Sequence, residues 1–130
     1  MIEHRAFFGD GEKTFAFPTF EIVEELQRKT GQPIGAIFRR FRTSDYSLSE
    51  VLQVLRLGLI GGDTAPAEAD QLVKVYGVGR PLAELFAVAD GVITALFFGN
   101  EEKAQDEIRQ AAASDDLTAA INEGLEQVAE

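Results

Sequence analysis

The sequence predicts a mainly α protein: an N-terminal β-hairpin, then a compact bundle of about five helices, then an acidic helical tail. Three observations predict it. Phenylalanines flank Gly9-Asp10-Gly11, as a short run at Phe7-Phe8 before it and at a period of two in Phe15 and Phe17 after it. From Thr19 to Phe97 apolar residues recur at three- and four-residue spacing between recognisable caps. After residue 100 the charge balance changes abruptly.

The hairpin rests on His4-Arg5-Ala6-Phe7-Phe8 and on Thr14-Phe15-Ala16-Phe17, which has a period of two. Gly9 and Gly11 supply the positive φ values of a tight turn, and Pro18 closes the second strand. A lone hairpin is marginal in water, so it must lie on something.

From Thr19 the period becomes helical. Ile22, Val23 and Leu26 share a face, and Thr30-Gly31 forms a C-terminal stop. Pro33 opens a second helix whose Ile34, Ile37, Phe38 and Phe41 make an apolar stripe. Ser47-Leu48-Ser49-Glu50 is a capping box. The helix it starts has Leu48, Val51, Leu52, Leu55 and Leu59 on one side, widened by Val54, Leu57 and Ile60. A helix apolar on most of its circumference belongs at the centre of a bundle, and Gly61-Gly62 ends this one. Asp63-Thr64-Ala65-Pro66 starts a fourth helix, with Ala69, Leu72, Val73 and Tyr76 as its stripe and Gly77 and Gly79 as its break. Pro81 opens a fifth, in which Leu82, Leu85, Phe86, Ala89, Ile93, Leu96 and Phe97 repeat, and Gly99-Asn100 ends it.

Residues 1–100 are therefore expected to form one globular domain, with 13 acidic and 10 basic side chains. Residues 101–130 carry 9 acidic and 2 basic ones and are expected to be a weakly anchored helical tail. Ser114-Asp115-Asp116 caps a final stretch there, with Leu117, Ile121, Leu125 and Val128 on one side. A stripe that narrow suits a helix lying on a surface or a partner.

Composition excludes several functions. The 130 residues contain no cysteine, hence no disulfide, thiol nucleophile or zinc–thiolate site. No apolar run approaches the roughly 20 residues that span a bilayer, and Met1-Ile2-Glu3-His4-Arg5 lacks a signal-peptide layout. Membrane and secretory roles are not expected. The net charge of −10 argues against nucleic acid as a partner.

The chemical motifs read more simply as structure. Gly9-Asp10-Gly11-Glu12-Lys13 lacks both P-loop spacing and the alternating carboxylates of a calcium loop, which leaves a hairpin turn. Gly77-Val78-Gly79 lacks the third glycine of a dinucleotide fingerprint and reads as a helix break. His4 is the only histidine, so it builds neither a zinc site nor a triad and is expected at a strand edge. Glu24-Glu25, Glu101-Glu102 and Asp115-Asp116 are neighbours that do not share a helix face, so they read as solvated surface. No nucleophile–base pair or metal set is available, and neither an enzyme nor a cofactor is expected.

Three features remain as candidate contact surfaces. Arg39, Arg40 and Arg42 form the basic cluster; they are a solvated helix face, or else a dock for an acidic protein or the chain's own tail. Phe7, Phe8, Phe15 and Phe17, with Phe20 beyond them, crowd a two-faced hairpin, of which one face stays open as an apolar patch. Leu117, Ile121 and Leu125 are the tail's candidates.

The order of motifs resembles a family. It runs from His4-Arg5-Ala6-Phe7-Phe8-Gly9-Asp10-Gly11 to Ile22-Val23-Glu24-Glu25-Leu26-Gln27-Arg28-Lys29-Thr30-Gly31 and Ile34-Gly35-Ala36-Ile37. Leu55-Arg56-Leu57-Gly58-Leu59-Ile60-Gly61-Gly62 and the Arg80-Pro81-Leu82 helix ending at Phe97-Phe98-Gly99 complete it. This resembles the small gene-transfer-agent proteins of α-proteobacteria and related siphophage prophages, grouped with phage tail assembly chaperones, over roughly Arg5 to Gly99. The resemblance implies a non-enzymatic chaperone that binds the tape-measure protein, the tail-tube protein or both, in the cytoplasm during particle assembly. The alternatives are a structural tail component retained in the virion, with self-association into a homo-oligomer, and an unrelated bacterial helical adaptor.

Overall fold

The computed structural model describes residues 2–99 of the chain. Strand β1 (His4–Phe8) pairs antiparallel with β2 (Gly11–Phe15), and five helices follow: α1 (Phe20–Thr30), α2 (Ile34–Arg42), α3 (Leu48–Gly61), α4 (Pro66–Gly77) and α5 (Leu82–Phe98). This is the hairpin and five-helix architecture expected from the sequence. The expected helical tail lies outside the described residues.

The register sets His4 opposite Phe15 and Phe8 opposite Gly11, leaving Gly9-Asp10 as a two-residue turn. Gly9 takes φ +74°, the glycine-first geometry that suits a strand twist. A side chain there would also run into the Tyr76 ring, 2.7 Å from where its Cβ would lie. The second strand begins earlier than its alternation suggests and stops at Phe15; Ala16 and Phe17 have left the ladder. The backbone N–H of Ala16 instead donates to the Gly58 carbonyl of α3, at 2.9 Å.

The helix ends follow local chemistry. Thr19 Oγ1 accepts from the Ile22 N–H at the start of α1, and Gly31 ends that helix at φ +72°. The Ser47–Glu50 capping box is complete: Ser47 Oγ accepts from the Glu50 N–H at 3.1 Å, and Glu50 Oε1 accepts from the Ser47 N–H at 2.9 Å. Pro66 stands in the first turn of α4, where its missing N–H costs nothing.

Helix α3 is the centre, as its apolar circumference requires. It packs against α1, α4, α5 and β2, and Val54, Leu55 and Leu59 are fully buried. Leu26 of α1, Ile37 and Phe41 of α2, Ala69 of α4 and Ile93 of α5 complete the core around it. The hairpin lies across α3 and α5, and glycines make that seat. A Cβ built on Gly61 would lie 1.9 Å from the Ala16 carbonyl oxygen, and one on Gly62 would lie 2.1 Å from that of Thr14. On α5, a Cβ on Gly91 would lie 2.5 Å from the His4 imidazole. His4 is accordingly buried at 7% exposure beside Phe15, not at an open strand edge.

Candidate interaction surface

Strand alternation sorts the hairpin phenylalanines. Phe8 and Phe15 lie on the inner face, 5% and 1% exposed, and meet edge to face at 6.2 Å between ring centroids. Both are core residues, which corrects their assignment to a contact surface: the inner face of the hairpin is covered by α3 and α5. Phe17 is half-buried and packs against the core. Phe7 remains outward at 67% exposure, with Arg5 and Glu12 on the same outer face. The open face of the hairpin is therefore one phenylalanine among charges, not an aromatic patch.

The arginine cluster is also divided. Arg40 Nε donates to both oxygens of Glu50, at 3.2 and 2.9 Å, and so reinforces the capping box from α2. Glu50 is 1% exposed, so its charge is held by this fork rather than by water. Arg42 pairs with Asp90 of α5 and lies over the Phe38 ring at 5.5 Å. Arg39 is exposed and, among the described residues, has no ion-pair partner. Two of the three arginines thus serve as ties within the domain, between α2 and α3 and between α2 and α5. The tail candidates Leu117, Ile121 and Leu125 lie outside the described residues.

The open apolar surface lies elsewhere. One hollow of about 380 Å³ is lined by Phe20, Val23, Ile34, Leu96 and Phe97, where the start of α1, the start of α2 and the end of α5 converge. Phe20 is 86% exposed. Phe97 stacks on Phe38 at 4.4 Å between ring centroids and Phe98 meets it edge to face at 5.8 Å, which extends the aromatic area. A second groove of about 360 Å³ opens between the start of α3, the end of α4 and the α4–α5 turn, with Leu48, Val78 and Leu82 as its exposed apolar residues. Periodicity places Leu48, Leu82 and Phe97 on the apolar stripes of their helices. Their exposure comes from helix ends overrunning their neighbours, which spacing does not encode. The signal for Phe20 was present, as an aromatic immediately after the Thr19 cap and off the Ile22–Leu26 face.

The perturbed ionisable groups lie in small surface pairs. Hydrogen bonding to Lys13, 2.8 Å away, holds the Asp10 carboxyl below its usual range, and the same bond raises Lys13. A hydrogen bond from Arg28 lowers Glu25. These pairs tie the hairpin turn and one helix turn, and no reacting centre surrounds them. Among the described residues, no group of three or more His, Asp or Glu is placed to hold a metal ion, and no helix is long and apolar enough to cross a membrane.

Residues 1–99 match a family model described as phage tail tube protein, GTA-gp10. No curated protein and no solved structure matches the chain.

Proposed function

We infer the role of this molecule from one premise: the chain belongs to the phage tail tube protein family, GTA-gp10. It is a phage-like tail protein, and its function is non-enzymatic. The finer reading is that it is a structural part of the tail, joined to copies of itself or to neighbouring tail proteins. The observation that carries this is the extent of the match, which covers the hairpin and all five helices rather than a single motif. The hollow around Phe20 and Phe97 supplies apolar area for such a contact.

Quantitative mass spectrometry of purified mature particles tests it. The structural reading expects the protein at a fixed ratio to the other tail proteins. Its presence in assembling cells and absence from mature particles would overturn that reading.

A tail assembly chaperone is the second reading. What favours it is the pairing of a small helical domain with two open apolar concavities, suited to covering an aggregation-prone client such as a tape-measure protein. It expects stable co-purification with the tape-measure protein and rescue of that client's solubility. Phe20→Ser with Phe97→Ser separates surface from scaffold: either role expects weaker partner capture with an unchanged helical circular dichroism spectrum.

A further inference from the structure

The groove beside the α4–α5 turn combines three properties that point to one kind of occupant. Leu48 and Leu52 of α3 form one wall, and Val73, Val78 and Leu82 form the other. Leu48, Val78 and Leu82 are 52%, 81% and 62% exposed. Single exposed aliphatics are ordinary on a protein surface, but here three converge on one concavity of about 360 Å³.

The wall is also bare. Cβ atoms built on Gly77 and Gly79 would meet nothing within 4 Å, so a partner can approach the backbone closely there. The walls are helices and a turn, with no strand edge to extend. An extended peptide would find no ladder, whereas a helix arrives with its backbone hydrogen bonds already made.

The rim is cationic in a chain of net charge −10. Lys74 stands exposed on α4 and, among the described residues, has no ion-pair partner. Arg80 lies at the mouth in an exposed ion pair with Glu84, at 3.7 Å. Helix α5 starts beside the lining residues Arg80 and Leu82, and no side chain caps it at Pro81, which leaves the positive end of its dipole uncapped there.

We propose that this groove docks an amphipathic helix of a protein partner, its apolar stripe in the cleft between Leu52 and Val73 and its acidic flank on Lys74, Arg80 and the start of α5. The site goes beyond the tail assignment and holds whether the protein remains in the particle or leaves it.

The test uses the full chain and a fluorescein-labelled synthetic helix of about fourteen residues, roughly four turns. Leucines occupy its stripe at three- and four-residue spacing and glutamates the other positions; a twin peptide carries lysine for every glutamate. Fluorescence anisotropy should show saturable binding of the glutamate peptide and much weaker binding of the twin. Val78→Glu with Leu82→Glu, both at exposed positions, should weaken binding about tenfold or more, because a charge pressed into an apolar contact costs at least that factor. Lys74→Glu with Arg80→Glu should turn the preference toward the lysine twin.

No saturable binding up to millimolar peptide, equal binding of both peptides, or binding indifferent to Val78→Glu/Leu82→Glu would each overturn the proposal. So would concentration-dependent dimerisation abolished by that same double variant, since a second copy would then occupy the groove. None of these results touches the particle composition that tests the tail role.

Discussion

Gly61→Ala should destabilise this domain, although alanine is the better helix former. Gly61 is the last residue of α3, and a methyl group there would lie 1.9 Å from the Ala16 carbonyl oxygen and 2.8 Å from its carbon. That is roughly 1.5 Å short of ordinary van der Waals contact, and the atoms in the way are backbone. No rotamer change relieves the clash, so the hairpin must lift from α3. Over-packing of this sort costs about 1–3 kcal/mol. Lifting also stretches the 2.9 Å bond from Ala16 N–H to the Gly58 carbonyl, worth about 1 kcal/mol. The propensity gain of replacing glycine is at most about 1 kcal/mol. The net is a loss of about 1–3 kcal/mol, or a Tm lower by at least about 4 °C for a domain this size.

Gly35→Ala is the matched control. Gly35 is exposed within α2, and a Cβ there meets nothing within 4 Å, so only the propensity term remains and stability should rise by up to about 1 kcal/mol. Thermal and urea unfolding, followed by circular dichroism, would compare the two variants with the parent. Opposite signs are expected. A Gly61→Ala protein as stable as the parent, or more so, would refute the glycine-seat account of hairpin docking.

Other perturbations follow from the same contacts. Glu50→Ala removes the capping-box acceptor and leaves the half-buried Arg40 without its fork, for an expected loss of about 2–4 kcal/mol in urea unfolding; Glu50→Gln should lose distinctly less, because it keeps an acceptor for the Ser47 N–H. Phe15→Ala should cost about 3–5 kcal/mol and Phe7→Ala under about 0.5, since the first lies in the core and the second in water; equal effects would contradict the strand facing. The Asp10–Lys13 pair gives the hairpin turn a pH dependence of fixed sign. Asp10 is depressed on folding, so its contribution is present above the ordinary carboxyl value of 3.8 and fades as pH falls through the lowered one. Lys13 is raised, so its contribution is full below 10.5 and fades as pH climbs through the raised value. Asp10→Asn should flatten the acid limb in an NMR titration of the turn amides, and an unchanged limb would remove the pair from the account.

Much of this molecule is legible without coordinates because its determinants are local. Caps, glycine stops and prolines act within one helical turn, so Thr19, Gly31, Ser47–Glu50, Pro66 and Pro81 mark the helix ends in the chain itself. The apolar circumference of residues 48–61 likewise foretold a central α3, since only burial on several sides accommodates it. Alternation guarantees that Phe7 and Phe8 face opposite ways, but which of them is buried depends on where the hairpin lies.

That placement is set by tertiary contacts. Gly61 and Gly62 read in the chain as a helix stop, and in the fold they and Gly58 are also the surface on which β2 and its continuation rest. Arg40 and Arg42 read as a basic patch until Glu50 and Asp90 arrive from other helices to pair with them. Leu48, Val78 and Leu82 are open for a complementary reason: no other element of the described domain reaches across the α4–α5 turn to cover them. Periodicity records which side chains share a face, and only the arrangement of distant segments decides whether that face meets protein or water.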